Sequence, residues 1–118
     1  MPEAHSNDPA GGDRAAMHRL LALLPAPTRA QMVAMYLDGL QAQLAEIAGL
    51  LAAGDPAARA LVHKLAGSAA MMQDAALSGP ARALEHALQA GDDETAAALW
   101  PQVQAQAALT RQALAGAD

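Results

Sequence analysis

The sequence has no cysteine and no phenylalanine, and each absence narrows the possible folds and chemistries. Without cysteine, the chain cannot form disulfides, thiolate metal sites or a cysteine nucleophile. Valine, isoleucine and threonine together occupy seven positions, whereas alanine occupies 34 and leucine 17. Because β-sheets draw on β-branched and aromatic residues, this composition predicts an all-α fold.

Long apolar runs and clusters of basic residues are missing as well. No apolar run approaches the ~20 residues of a membrane span, and the first residues lack the basic and apolar regions of a secretory signal. The formal net charge is −5, which argues against nucleic acid and anionic membranes as partners. The length of 118 residues suits one domain. We therefore expect a small, acidic, cytoplasmic, helical protein.

Proline, glycine and short polar residues divide the chain into a leader and five helices. Residues 1–13 contain several of these breakers and no apolar periodicity, which predicts a disordered leader before a single domain over residues 14–116. Apolar spacings of three and four indicate helices in that domain. The expected helices cover residues 13–24, 29–53, 56–72, 74–90 and 92–115.

Several residues are expected to begin or end these helices. Asp13 and Thr28 are predicted N-caps of the first two helices, and Gly54 followed by Asp55-Pro56 predicts a stop and a new start. The fourth helix either begins at Asp74 and is kinked by Pro80, or begins near Ser78. Pro101 should bend or interrupt the last helix. Four substantial helices with short connections predict an antiparallel four-helix bundle with a short additional N-terminal helix.

The most informative segment lies in the third helix. At 100° per residue, Leu61, Leu65, Ser68 and Met72 fall within one narrow arc, which is the expected core face. His63 lies about 200° from Leu61 and should point away from the core.

Small residues surround this histidine on the outer face of the helix. A glycine inside a helix costs about 1 kcal/mol relative to alanine, so either a partner protein or a neighbouring helix should approach the backbone at Gly67. We call the small residues around His63 the docking collar; its members are Ala60, Ala66, Gly67 and Ala70.

Neutral imidazole is a nucleophile near pH 7, since its unperturbed pKa is about 6.5. It can attack an activated phosphoryl group and hold it as phosphohistidine. No carboxylate pair or phosphate loop accompanies His63 in the sequence, so a partner would have to supply Mg²⁺ and the acyl phosphate, and the chain alone is not expected to be an enzyme. His5, His18 and His86 do not have the spacing of a helical metal site, and we expect no metal.

The segment from His63 to Ala70 reads HKLAGSAA. It resembles the signature of the histidine phosphotransfer (Hpt) domain family, in which His-x-Leu-Lys-Gly-Ser is followed by small residues. The resemblance extends over about residues 17–115 and includes Leu84-Glu85 and the Gly91-Asp92 turn. The lysine that the family has three residues after the histidine is replaced here by Ala66.

This resemblance implies a phosphorelay intermediate without a bound cofactor. His63 would accept a phosphoryl group from one receiver-domain aspartate and donate it to another, so the expected partners are response-regulator receiver domains and a hybrid sensor histidine kinase. Arg59, on the same face as His63, is the candidate replacement for the missing lysine, and Lys64 is a second candidate. A monomer is the default expectation.

Two alternatives stay open at the level of sequence. The missing lysine at position 66 is compatible with a module that keeps the Hpt fold but only binds or sequesters response regulators. A purely structural helical bundle, in which His63 is an ordinary surface residue, would instead expose an apolar stripe away from the face of His63.

Overall fold

The computed structural model describes residues 9–115, with residues 9–13 described by their backbone only. Over this range the chain forms five α-helices and no strand, so the predicted all-α class is confirmed. None of these helices combines the length and the apolar character needed to cross a membrane. The helices are α1 (Pro9–Ala22), α2 (Ala26–Ala52), α3 (Ala58–Met71), α4 (Ala75–Ala90) and α5 (Asp93–Ala115).

The first two helices begin earlier than the capping pattern predicts. Helix α1 begins at Pro9, so residues 9–13 belong to a helix rather than to a leader, and residues 1–8 lie outside the described residues. Helix α2 begins at Ala26, with Pro25 at the N-cap, so Thr28 lies inside the first turn and is not the N-cap. The reason is Pro27, whose fixed φ suits the first helical turn.

Glycines end α2 and α4 where the sequence predicts. Gly54 and Gly91 have φ values of +65° and +71°. This left-handed conformation costs glycine little, and it lets the backbone leave the helix while its last carbonyls stay hydrogen-bonded.

The aspartates that follow these glycines, Asp55 and Asp92, accept hydrogen bonds near the starts of α3 and α5. Asp55 Oδ1 accepts a hydrogen bond from the Ala57 amide at 2.9 Å, but α3 begins only at Ala58, two residues later than predicted. Asp92 accepts from the Thr95 amide at 3.1 Å and from its hydroxyl at 2.6 Å. These bonds hold the pKa of the Asp92 carboxyl below its usual value.

Both internal prolines are accommodated inside helices. Of the two predicted starts of α4, the one with Asp74 at the N-cap is correct, and Pro80 lies within the helix. Pro101 lies inside α5, so the predicted interruption there is wrong. Helix α4 packs against α3 and α5, and such tertiary packing can outweigh the loss of one backbone hydrogen bond.

The core lies where α3, α4 and α5 meet, and α2 packs mainly against α3. On α3 the buried face differs from the expected one, because Leu61 and Ser68 are only half-buried. The close packing of α3 against α4 turns the smaller residues of α3 inward, and the buried side chains are Ala58, Val62, Leu65, Ala66 and Ala69.

A second, smaller cluster joins α1 to the rest of the molecule around a buried polar network. Asp74 Oδ2 accepts hydrogen bonds from the Tyr36 hydroxyl at 2.8 Å and the Thr110 hydroxyl at 2.7 Å. Arg14 Nη2 donates to Thr110 Oγ1 at 3.0 Å, and Arg14 Nε lies 3.8 Å from Asp74 Oδ1. Burial, and then the nearby Asp74 carboxylate, raise the pKa of Tyr36 well above its usual value. No pattern in the sequence predicts this network.

Candidate functional site

His63 lies on the outer face of α3, as its position in the helical pattern predicts. Its side chain is 72% exposed. The buried face of the same helix, centred on Val62, Leu65 and Ala69, points into the core. The imidazole is therefore accessible to another molecule.

The carboxylate of Glu85 on α4 holds one nitrogen of this imidazole. His63 Nδ1 lies 2.9 Å from Glu85 Oε2. An ionised carboxylate can only accept hydrogen bonds, so Nδ1 carries the hydrogen in this pair. In the neutral ring Nε2 then keeps its lone pair. Glu85 thus favours the tautomer in which the other ring nitrogen, Nε2, keeps its lone pair.

Arg59 places a positive charge beside this pair. It lies one turn before His63 on α3, and its Nη1 is 4.0 Å from Glu85 Oε2. The Arg59 side chain is 48% exposed, so this ion pair contributes little to stability and the guanidinium can reorient at small cost. Lys64 is exposed on a different side of α3 and does not join the cluster.

Three of the four collar residues line the accessible face, and one does not. Ala60 and Gly67 are exposed, and Ala70 is half-buried. Ala66 is only 2% exposed and belongs to the core cluster, so its predicted role in docking is wrong. Ala66 lies about 60° around the helix from His63, on the side that packs against α4, and this rotation is enough to bury it.

Gly67 has no neighbour in the protein that would require a glycine. A Cβ atom built at this position would meet no atom within 4 Å. Of the two expectations for Gly67, close packing of a neighbouring helix is therefore wrong. An open surface for a partner is the one that the structure allows.

Two of the three remaining histidines lie within the described residues. His18 and His86 are exposed, and His5 lies outside the described residues. Over residues 14–115 no group of three or more histidine, aspartate or glutamate side chains could hold a metal ion.

In the sequence, Glu85 stands out only as part of the family resemblance, and no local pattern predicts its contact with His63. The two residues are 22 positions apart and lie symmetrically about Asp74, in the turn between α3 and α4. Two helices that fold back on each other across a short turn bring such symmetric positions to the same level. The equal distance of His63 and Glu85 from this turn is therefore the sequence feature that could have predicted their contact.

Comparison with protein families agrees with this geometry. A model of the Hpt domain family matches residues 31–115, a range that includes α3, α4, α5 and most of α2. Neither the curated proteins nor the solved structures gave a significant match to the chain.

Proposed function

Because the chain belongs to the Hpt domain family, whose members carry phosphoryl groups in two-component signalling, we propose that it is a phosphorelay protein with His63 as its phosphoacceptor. A phosphorylated receiver domain donates the group to His63, and a second receiver domain accepts it. A hybrid sensor histidine kinase is the source of the phosphoryl group in such a relay.

The hydrogen bond between His63 Nδ1 and Glu85 Oε2 is the observation that supports this proposal most strongly. It leaves Nε2 unprotonated on a side chain that is 72% exposed. The same arrangement of nucleophile and orienting acid recurs where side chains are activated for attack.

The transfer step follows from this tautomer. Nε2 attacks the phosphorus of the receiver's aspartyl phosphate, a new N–P bond forms, and the P–O bond to the aspartate breaks, which returns a carboxylate to the receiver. The imidazole keeps the hydrogen on Nδ1 and becomes positively charged. The Glu85 carboxylate at 2.9 Å stabilises that charge. The receiver supplies the Mg²⁺ that offsets the charge of the phosphoryl oxygens.

Arg59 serves as the cation that the family lysine would otherwise provide. It is on the same face of α3 as His63, and its contact with Glu85 at 4.0 Å is long and half-exposed. The guanidinium can therefore turn from Glu85 towards a phosphoryl group on Nε2, where a bidentate contact is possible. Lys64 is the weaker candidate, because it lies about 100° from His63 around the helix.

The small side chains around His63 suit a receiver domain. Ala60, Gly67 and Ala70 leave the face of α3 without bulky side chains, so a partner can approach the backbone. Met71, which is 81% exposed two turns after His63, adds an adaptable apolar contact.

In this proposal the described helices adopt the architecture expected for the family, in which α2–α5 form an antiparallel four-helix bundle and α1 is an additional helix. The short turns between successive helices and the packing of α3 against α4 and of α4 against α5 support that arrangement.

The proposal is tested by mixing the protein with phosphorylated receiver domains and Mg²⁺ and measuring acid-labile, alkali-stable phosphate. Wild type should be labelled and His63→Gln should not. His86→Gln, which removes another exposed histidine, is the matched control and should be labelled like wild type. Receiver binding without any label on wild type would contradict phosphotransfer and support the alternative, a module that binds or sequesters response regulators.

A further inference from the structure

An open groove of about 810 Å³ begins beside Arg59 and runs over the end of the molecule where α2 and α4 end and α3 and α5 begin. Its walls are largely apolar and include the only tryptophan of the chain. The residues that matter here are Leu51, Leu88 and Trp100 on its walls and Asp55, Arg59 and Asp93 at its edges.

We propose that this groove is an anchoring site for the receiver domain that docks over His63, and that it takes one bulky apolar side chain of that receiver flanked by basic residues. This inference rests on the proposed function, since it names a second contact made by the same partner. The collar residues around His63 are all small, and Met71 beside them is 81% exposed rather than set in a pocket, whereas an interface usually has larger anchors buried in pockets.

The groove lies within reach of a docked receiver. Arg59 lines the groove and also approaches Glu85, the partner of His63. Arg59 and His63 are one helical turn apart, about 6 Å along α3. A standard interface covers about 800 Å² on each partner, which corresponds to a disc of about 16 Å radius. A receiver whose acid pocket sits over His63 therefore reaches the groove.

The walls of the groove have the composition of an interface anchor. Trp100 is half-buried, because part of its ring packs against the core while the rest lines the groove. Leu51 and Leu88 are half-buried in the same way. Partly exposed tryptophan in an apolar depression is typical of the residues that carry binding energy between proteins.

The charges at the edges select the flanking residues of the partner. Asp55 and Asp93 are exposed at the edge of the groove. These two carboxylates outnumber the single guanidinium of Arg59, so the edge is negative overall. An apolar side chain next to lysine or arginine fits this edge, and an acidic segment does not.

The test fills the groove without touching the core or the residues around His63. Ala97 and Ala52 are exposed residues that line the groove from α5 and α2, so Ala97→Trp and Ala52→Trp should occlude it from two independent sides. Ala98→Trp is the matched control, because Ala98 is exposed beside Ala97 but does not line the groove. Melting temperatures establish that the three variants are folded.

The probe is a receiver domain that labels His63 of the wild type, and its affinity is measured by titration calorimetry. We expect Ala97→Trp and Ala52→Trp to weaken the affinity about tenfold or more, and Ala98→Trp to change it less than about twofold. Fluorotryptophan incorporated at Trp100, the only tryptophan, should show a shifted fluorine resonance when the receiver binds.

The outcomes separate this proposal from the proposed function. Normal labelling of His63 together with wild-type affinity in both groove variants, or an unmoved Trp100 resonance, would overturn the anchoring site and leave phosphotransfer standing. If no receiver domain encoded in the same genome labels the wild type, the proposed function fails and the anchoring site fails with it.

Discussion

Two clusters in this protein are built from similar parts but differ in burial. In one, the carboxylate of Glu85 accepts a hydrogen bond from the ring of His63 at 2.9 Å, with Arg59 at 4.0 Å. In the other, the carboxylate of Asp74 accepts from the ring hydroxyl of Tyr36 at 2.8 Å, with Arg14 at 3.8 Å. His63 is 72% exposed, whereas Arg14 is 4% exposed and Asp74 is fully buried.

The difference in burial gives the two clusters different roles. In the exposed cluster the side chains of His63 and Arg59 are solvated, so the ion pair adds little to stability and the imidazole can meet a partner. In the buried cluster the polar groups are satisfied by other side chains and by the backbone carbonyl of Gln106, and they connect α1, α2 and α5 to the turn before α4. Loss of the Asp74 carboxylate would remove the acceptor that Tyr36 and Thr110 share and the negative charge nearest to Arg14. The exposed cluster is suited to chemistry and the buried one to holding α1 and α2 in place.

The largest expected effect on stability comes from removing the buried carboxylate. Asp74→Ala should lower the free energy of unfolding by about 3–5 kcal/mol, because Arg14, Tyr36 and Thr110 lose their shared partner. Chemical denaturation measures this loss. Asp38→Ala, at an exposed position on α2, is the control and should change stability by less than about 0.5 kcal/mol. A loss below about 1 kcal/mol in Asp74→Ala would mean that the network is not the tie between these helices.

A second prediction concerns how the free energy of unfolding changes at alkaline pH. The pKa of Tyr36 is raised in the folded protein, whereas a tyrosine in the unfolded chain titrates near pH ~10. Above that pH the unfolded state loses a proton that the folded state keeps, so the free energy of unfolding should fall by about 1.4 kcal/mol per pH unit.

Denaturation midpoints between about pH 10 and 12 check this pH dependence. Tyr36→Phe removes the only tyrosine, so the fall that this residue causes should disappear. An identical pH dependence in the two proteins would show that the hydroxyl of Tyr36 is not held in its neutral form by the fold.

At the exposed cluster, removal of the carboxylate should affect transfer more than stability. Glu85→Ala frees the imidazole to adopt either tautomer and removes the charge that stabilises the transition state. We expect transfer to His63 to slow on the order of tenfold, which corresponds to about 1.4 kcal/mol of barrier. The free energy of unfolding should change by less than about 1 kcal/mol. Rapid-quench transfer assays beside denaturation curves measure both, and unchanged transfer with lost stability would reverse the roles assigned to the clusters.

The smallest effects are expected at Gly67, where stability and docking should respond in opposite directions. Because a Cβ meets no atom there, Gly67→Ala should stabilise the protein by about 0.5–1 kcal/mol. Gly67→Leu should stay folded but weaken receiver binding, since the larger side chain fills the open face. Melting curves and receiver titrations are the measurements. Unchanged receiver binding and transfer in Gly67→Leu would remove Gly67 from the docking collar.

Local features of the fold could be predicted from sequence, because they depend on residues close together in the chain. Gly54 and Gly91 end helices through their own backbone freedom, and the helical pattern alone turns His63 outward. Competing local signals produced the errors. Thr28 is a good N-cap residue, but Pro25 and Pro27 start α2 earlier.

The missed features depend on how the helices pack. Ala66 is separated from the outer face by only about 60°, so a small rotation of α3 against α4 decides whether it is buried. Glu85 and Asp74 meet partners 22 and 38 residues away, and no periodicity within one helix reports such contacts. Arg14 lies next to the predicted leader, where a buried charge was not expected.

The most direct test of the account is to determine which atom carries phosphate after transfer from a receiver domain. Protein with nitrogen-labelled histidine is phosphorylated, and the coupling between phosphorus and each imidazole nitrogen is measured by NMR. We predict a single phosphorus bonded to Nε2 of His63, with Nδ1 still carrying its hydrogen beside Glu85. Phosphorus on Nδ1, or on any other residue, would contradict the role that the structure gives to the His63–Glu85 pair.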